Sequence, residues 1–576
     1  MSTKITGIAA SDGIGIAKAY TLVDPDLSFE KKTVTDPQAE IDRLAAARQV
    51  TVSELEEIKA KALENLGPKE AEVFDAHLAM VNDPEFIQKA EDEIKQQACN
   101  AEAAQQDVAN NFAATLEGMA DNAYMQERAA DVRDVTKRVL SHLLNRPLPD
   151  LALVDSPIVV VSHDLTPSDT AQLDRRYVKG ILVDLGGRTS HSAIMSRTLE
   201  IPAVVGTEKA TATIQEGQTV ILDGLHGVAL VDPSEAELAD YRKQAADFAE
   251  QKALWEKLKD QPTVSKDGQS FMLAANIGTP ADLPAVLKSG AEGIGLFRSE
   301  FLYMDSDQLP SEETQFEAYK AAVSQMNGKP VVIRTMDIGG DKDLPYMQLP
   351  KEMNPFLGYR AIRISLKRQD IFRTQLRALI RASAFGDLGI MFPMIATLEE
   401  LRQAKTIFNE EKTKLVEAGV QVGEKIKLGM MIEIPNAAIF ADHFAKEVDF
   451  FSIGTNDLIQ YTFAADRGNE RVSYLYQPYH PSLLGLINHV IKVAHRHNTS
   501  VAMCGEMAGD QTAVPLLMGM GLDEFSMSAT SVLKTRNLMK HLDASTLTDL
   551  AEAAINDCET SDQVKALVEK LKTEQV

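Results

Sequence analysis

Gly293-Ile294-Gly295-Leu296-Phe297-Arg298 is a short apolar run that ends on a cation, and Val331-Val332-Ile333-Arg334 repeats the arrangement. A run of this length, bounded by turn-forming residues, reads as a buried strand. Comparable runs recur near 271–275, 389–393, 428–432, 450–453, 500–503 and 524–527, and long helical patterns separate most of them. The set makes eight strand and helix units beyond Gln261. That is the requirement of a (β/α)8 barrel, which places its chemistry at the C-terminal ends of its strands.

The residues just past these strands are Asn276, Arg298 with Glu300, Arg334 with Asp337, Met394, Glu433, Asn456 with Asp457, Cys504 with Glu506, and Ser526 to Ser528. Loops are polar in general, so each residue alone has an ordinary reading; the set points to one mouth. Arg298 and Arg334 directly follow apolar runs and should project into it, and two cations there call for an anionic ligand. Glu433 ends Met430-Met431-Ile432, and Asp457 lies in Phe451-Ser452-Ile453-Gly454-Thr455-Asn456-Asp457. Two carboxylates among arginines suit an octahedral oxygen site for Mg²⁺, completed by water and a substrate phosphate. The competing reading pairs each carboxylate with an arginine. Cys504, in Val501-Ala502-Met503-Cys504-Gly505-Glu506, is by spacing alone first a small buried hydrophobe.

Upstream, Ile5 to Tyr20 carries Gly7, Gly13 and Gly15 among small and apolar residues, which suggests short strands and tight turns. From about Thr33 to Asn145 the chain turns to helices rich in Ala, Glu and Gln, with Ile41, Leu44, Leu55 and Ile58 at helical spacing. Asp36-Pro37, Gly67-Pro68 and Asp83-Pro84 read as helix starts, because proline costs nothing in the first turn and aspartate caps free N–H groups. Arg146-Pro147-Leu148-Pro149 ends the helical block. Strand-like runs then resume at 158–161, 180–184, 203–205 and 219–223, so an α/β domain is interrupted by a helical insert. After Asp232-Pro233-Ser234, the segment Glu235 to Lys259 reads as a linker helix with Leu238, Tyr241, Phe248, Leu254 and Leu258 as its apolar positions.

Within the α/β domain stands Gly186-Gly187-Arg188-Thr189-Ser190-His191-Ser192-Ala193-Ile194-Met195-Ser196-Arg197. His191 follows two glycines at the end of an apolar strand and opens an apolar helix, whose N-terminus favours an attached anion. A transiently phosphorylated nucleophile fits this setting. A lone histidine is more often structural, and spacing leaves both readings open.

The 576 residues are too many for one core and imply about three or four domains. A formal charge of −25 disfavours nucleic acid and anionic membrane as partners and suits a basic protein. Cys99, Cys504 and Cys558 form no C-x-x-C pair, which argues against a disulfide framework or structural zinc and fits a reducing cytoplasm. The opening residues contain no long apolar run and no later run reaches the length of a membrane span, so neither export nor insertion is expected.

Taken together, the motifs resemble the enzyme I family of the bacterial phosphotransferase system, the phosphoenolpyruvate-protein phosphotransferases, along essentially the whole chain. Gly186 to His191 is similar to the family's phosphohistidine signature. Phe451-Ser452-Ile453-Gly454-Thr455-Asn456-Asp457-Leu458-Ile459-Gln460 is similar to its second signature, and no matched position departs. The resemblance implies a multidomain α/β protein: a swivelling phosphohistidine domain (1–22 and 147–231), an all-helical insert that binds the phosphocarrier protein HPr (23–146), a linker helix (232–260), and a (β/α)8 TIM-type barrel (261–576) that binds phosphoenolpyruvate and forms a homodimer.

By the same resemblance, His191 attacks phosphoenolpyruvate through Nε2, releases pyruvate and passes the phosphoryl group to a histidine of HPr. Arg298, Arg334 and Arg467 are expected to bind phosphate, with Asn456 and Asp457 also on the substrate and Arg360 on its carboxylate. Glu433 and Asp457 match ligands of Mg²⁺, with Mn²⁺ as the alternative. Cys504 matches the acid that protonates the enolate carbon, and Thr170 a group that orients His191. Pyruvate phosphate dikinase and phosphoenolpyruvate synthase share a similar barrel but need a large ATP-binding domain. The insert before residue 147 is short and helical, and no G-x-x-x-x-G-K-[ST] loop occurs. A catalytically dead scaffold would not be expected to retain every group from His191 to Cys504. Nitrogen-regulatory relatives carry a further sensory domain, whereas this chain enters Ile5-Thr6-Gly7-Ile8 at once, which favours the sugar-transport branch.

Overall fold

The structure is a computed structural model of the 576-residue chain. It describes all residues except 1, 23–24, 66–67, 118–122, 147, 150, 152–153, 166–168, 171, 188–189, 305, 307, 341–343, 348, 468 and 576. The side chains of several helical residues, His191 among them, also lie outside the description. The chain forms two compact units, Met1–Glu250 and Gln251–Val576.

In the first unit, eight strands among the described residues make one sheet: β1 Thr3–Thr6, β2 Ile8–Ser11, β3 Ile14–Leu22, β4 Ile158–Ser162, β5 Val178–Val183, β6 Ala203–Val205, β7 Thr219–Asp223 and β8 Val228–Val231. Their order is β1-β8-β7-β3-β4-β5-β6-β2. β3 and β4 pair in parallel from Lys18↔Ile158 to Leu22↔Ser162 although the helical block separates them in sequence. The helices are therefore an insertion between two neighbouring strands. β8 is the strand that periodicity did not single out. Asp223 turns the chain into it by accepting from the backbone N–H groups of Leu225 and His226, both at 3.0 Å. An Asp-Gly pair at 223–224 after a buried run was the available hairpin signal.

The inserted helices are Pro37–Asn65, Pro68–Val81, Pro84–Gln97, Ala101–Glu117 and Ala123–Leu143. The first three of these five begin on the prolines read from the sequence, although Gly67 lies outside the described residues. Asp83 Oδ1 accepts from Glu85 N at 2.8 Å and Phe86 N at 2.9 Å, and Asp36 Oδ1 does the same for Gln38 and Ala39. Ile41, Leu44, Leu55 and Ile58 bury together with Phe74, Ile94, Val108 and Val139. The linker helix spans Glu235–Glu256. Its first turn is anchored, because Leu238 packs on Ile221 and Leu230, whereas Leu254 is exposed.

In the second unit, the strands are β9 Met272–Ile277, β10 Gly293–Arg298, β11 Val331–Arg334, β12 Leu388–Phe392, β13 Lys427–Ile432, β14 Phe450–Ile453, β15 Ser500–Met503 and β16 Glu524–Met527. Each pairs in parallel with the next, and β16 with β9, so the sheet closes into the expected barrel. Alternation along the strands sends one set of side chains outward to the helices, and Leu296, Met391, Met431, Phe450 and Cys504 into a separate inner cluster.

Two buried polar groups shape the barrel's stability. Arg536, on the helix Ala529–His541, is almost wholly buried. Its Nη1 donates to the carbonyls of Leu258 and Lys259, both at 3.0 Å, its Nη2 to Gly290 O at 2.8 Å, and its Nε to Thr263 Oγ1 at 3.0 Å. It thus fastens the chain that follows the linker helix onto the barrel. Glu524, at the start of β16, points into the interior: a Cβ on Gly295 would meet its Oε1 at 2.3 Å. Burial first, opposed by Lys427 and reinforced by Asp523, raises its carboxyl from 4.5 to about 7.

Replacing Arg536 with alanine strands one buried and two half-buried carbonyls, and each lost bond to a charged donor is worth up to about 1.5–3 kcal/mol. The expected outcome is a drop of roughly 3 kcal/mol or more in the unfolding free energy of the C-terminal unit, measured by denaturant titration. For Glu524 the sign follows from the folded barrel holding the proton more tightly than the unfolded chain. Its stabilising share is complete below about pH 4.5, is lost as pH rises toward about 7, and changes no further above that. Melting temperature followed against pH should lose that part of its decline in Glu524→Gln.

Candidate active site

The C-terminal ends of the barrel strands bring together most of the residues expected there. Arg334 ends β11, paired in register with Arg298 at the end of β10. Arg334 is buried between two carboxylates: Nη2 lies 3.0 Å from Glu300 Oε2 and Nη1 2.9 Å from Asp337 Oδ2. Burial alone would lower its pKa, but Glu300 and Asp337 hold it above the ordinary arginine value. Arg298 has no such support. It is exposed at the rim, yet closely enough walled that burial first and Arg334 next push its pKa down, with Glu300 and Cys504 opposing and Arg467 adding to the fall. A cation disfavoured in this way gains most from an incoming anion.

Arg360 is buried and bidentate on Asp337, with Nε at 2.9 Å from Oδ1 and Nη2 at 3.1 Å from Oδ2. It also reaches Asp457 at 3.3 Å and the Tyr461 hydroxyl at 3.1 Å, and its guanidinium lies 5.7 Å from the Phe356 ring centroid. Asp337 therefore joins two arginines. Sequence reading noted it as a strand-end residue but gave it no part; the Arg-x-x-Asp spacing of 334–337 was the only signal.

The two proposed metal ligands behave differently. Asp457, in the first turn of the helix Thr455–Phe463, pairs with Arg360, as the competing reading allowed. Glu433, just past β13, pairs with no arginine among the described residues: its Oε1 accepts from Met394 N at 2.5 Å, and its buried Oε2 has no partner among them. Burial, then the charges of Asp457 and Asp337, push its carboxyl up to about 8, with Arg334 and Arg360 opposing. Among the described residues no group of three or more His, Cys, Asp or Glu side chains is gathered to hold a metal, but the orphaned Glu433 oxygen, with Asp457, is of the hard oxygen type that a divalent cation takes.

Cys504 lies just past β15, 5% exposed, with Sγ 3.8 Å from Ile453 O. Burial pushes its thiol up to about 11, against Ser452 and Arg334, which favour the thiolate. The thiol is accordingly protonated at neutral pH. Asn276 ties this strand end to β16 by donating to Cys504 O at 3.0 Å and accepting from Ser526 Oγ at 2.6 Å. Asn456 Oδ1 accepts from Glu506 N at 3.3 Å. Arg467 stands apart from the ion-pair network, exposed in a turn and held by its backbone N–H on Gln460 Oε1 at 3.1 Å.

In the first unit, His191 opens the helix His191–Thr198, and Ser190 caps it by accepting from Ala193 N at 3.4 Å. Gly186 adopts φ +92° at the turn before it, a conformation open chiefly to glycine. Ser192 Oγ donates to Asp164 at 3.2 Å, and Arg197 donates to Ala10 O at 3.0 Å, which fixes the helix to the sheet. Thr170 is buried. Its expected contact with the His191 ring lies outside the described residues, as do Arg188 and Thr189 of the signature.

Among the described residues no helix is long and apolar enough to cross a membrane. Three family patterns match the chain: the PEP-binding domain of PEP-utilising enzymes over residues 252–544, their N-terminal domain over 6–128 and their mobile domain over 154–227. The chain is 61% identical to a phosphoenolpyruvate-protein phosphotransferase of Latilactobacillus sakei, covering 98% of this chain and 99% of the relative. Proteins of the same name from Enterococcus faecalis (59%, covering 99% of this chain and 100% of the relative) and Listeria innocua (60%, covering 100% of both) match equally along their length. The chain belongs to the PEP-utilising enzymes, among the phosphoenolpyruvate-protein phosphotransferases.

Proposed function

We propose that this phosphotransferase takes the phosphoryl group of phosphoenolpyruvate onto His191, releases pyruvate, and hands the group to a histidine of HPr in the sugar phosphotransferase system. The observation that carries the reading is the barrel mouth, where Arg298, Arg334 and Arg360 converge beside a Glu433 that lacks a counter-charge. Phosphoenolpyruvate is a small trianion with a phosphate at one end and a carboxylate at the other, which suits several guanidiniums spread over one mouth.

Arg298, Arg334 and Arg467 hold the phosphate, and Arg360 turns from Asp457 toward the carboxylate. Asn456 and Asp457 fix the substrate between them. Glu433 and Asp457 are the residues that would hold Mg²⁺ or Mn²⁺, which when bound neutralises charge on the phosphate and on the departing enolate oxygen. The neutral imidazole of His191 attacks phosphorus as the bond from phosphorus to the enol oxygen breaks. A free imidazole is largely neutral at neutral pH. The arginines stabilise charge without covalent help, which is how phosphoryl transfer is chiefly accelerated. Cys504 then gives its proton to the enolate carbon and pyruvate forms. Thr170 orients the His191 ring.

His191 and the barrel belong to different compact units, and one imidazole must meet phosphoenolpyruvate in one state and HPr in another. The helix Glu235–Glu256, anchored at Leu238 and bare at Leu254, supports a swivel there. The acidic chain suits HPr as a basic partner docked on the helical insert 23–146, with the barrel 261–576 as the dimerising part and the cytoplasm as the compartment.

Incubation with phosphate-labelled phosphoenolpyruvate and Mg²⁺, without ATP, is expected to label wild type and leave His191→Ala blank. The label should be acid-labile and pass to HPr; an unlabelled wild type would overturn the proposal. Mg²⁺ at a hundredfold excess over its Kd should stabilise wild type by about 2.7 kcal/mol, and Glu433→Gln should lose that increment. Since the cation competes with a proton held to about pH 8, the increment should grow between pH 6 and pH 8 in a calorimetric scan.

A further inference from the structure

β14 sends Phe450 into the inner cluster of the barrel and Phe451 and Ile453 outward to the helices. By that alternation Ser452 points inward. It is 1% exposed, and its Oγ has no partner with hydrogen-bond geometry. An unpaired buried hydroxyl is destabilising, and alanine or valine would fill the position without that cost. In register Ser452 lies opposite Met431 on β13 and Ala502 on β15, two residues before Cys504. The hydroxyl is therefore one layer below the Cys504 sulfur and beside it, close enough to favour the thiolate although the contact is not yet a full hydrogen bond. The charged groups that face the sulfur are Arg334 on β11, Glu433 past β13 and Arg298 on β10.

We propose that Ser452 is a positioning residue for Cys504, whose hydroxyl donates to the sulfur as the thiol gives up its proton. The role rests on the reading of Cys504 as the proton donor. In that step the enolate collapses to a ketone, its carbon pair takes the thiol proton as a new C–H bond, and the sulfur keeps the S–H pair. The thiolate so formed sits where burial opposes it, and the Ser452 O–H is an unused donor adjacent to it. Water entering the mouth after pyruvate leaves returns the proton to sulfur.

The test uses Ser452→Ala in the full-length enzyme, with HPr as acceptor. Removal of an unpaired hydroxyl should leave the melting temperature equal or higher, so a lost fold is not the expected complication. The kcat for pyruvate formation should fall about tenfold, the scale of one hydrogen bond to a charged group, with KM for phosphoenolpyruvate unchanged. The thiolate absorbance of Cys504, taken as the difference from Cys504→Ala, should appear at higher pH in Ser452→Ala than in wild type. Wild-type kcat with an unmoved thiolate titration would overturn the role of Ser452, as would a loss of kcat without any shift of the titration. If Cys504→Ala kept full turnover, the reading of Cys504 itself would fail, and with it this role.

Discussion

Two arginines buried in a barrel mouth need counter-charges, and the arrangement of the site follows from how they are met. Asp337 serves both, bidentate on Arg360 and at 2.9 Å from Arg334, while Glu300 completes one and Asp457 the other. A buried ion pair offsets its desolvation only where geometry is good and remaining donors are used, and this network meets most of that condition. It leaves one carboxyl over. Glu300, Asp337, Asp457 and Glu433 are four acids facing Arg298, Arg334 and Arg360, and a proton on Glu433 brings the mouth to neutrality. Burial first, and then the charges of Asp457 and Asp337, push Glu433 up to about 8 although Arg334 and Arg360 oppose it.

The proposed nucleophile faces the opposite difficulty. His191 stands at the head of a helix tied to its own sheet by Ser192 and Arg197, in a unit that the chain separates from the barrel. The helix is held to its own unit, so in the proposed transfer the movement between donor and acceptor falls to the connection. Arg536 gives that connection a definite end, because the carbonyls of Leu258 and Lys259 are fastened to the barrel.

All eight barrel strands were legible because a strand buried on both faces is a continuous apolar run, and its chemistry follows at a fixed offset. The helix starts at Pro37, Pro68 and Pro84 were legible for a local reason too, the chemistry of the first turn. What escaped was long-range. That Asp337 would serve Arg360, that Asp457 would pair while Glu433 would not, and that Gly295 makes room for Glu524 all depend on which strands become neighbours. β8 follows β7 through a tight turn, and only the Asp223-Gly224 pair signalled that the chain folds back as a hairpin.

The same distinction bears on how the site is built. Arg334 Nε, Thr335 Oγ1, Glu433 Oε2, Ser452 Oγ and Thr455 Oγ1 are all buried without partners, and all lie at or just below the barrel's C-terminal rim. Thr455 is pressed so closely on the turn after β15 that a Cβ on Gly505 would meet its Oγ1 at 1.8 Å. Stability alone would replace such groups with apolar side chains or pair them. Others lie in the helical insert, on His77, Gln105, Asp134, Thr136 and Arg138, so the rim has no monopoly on them. At the rim, a polyanion docked as proposed would supply partners, and that part of the favourable energy would be realised with the substrate and as charge develops rather than in the resting protein.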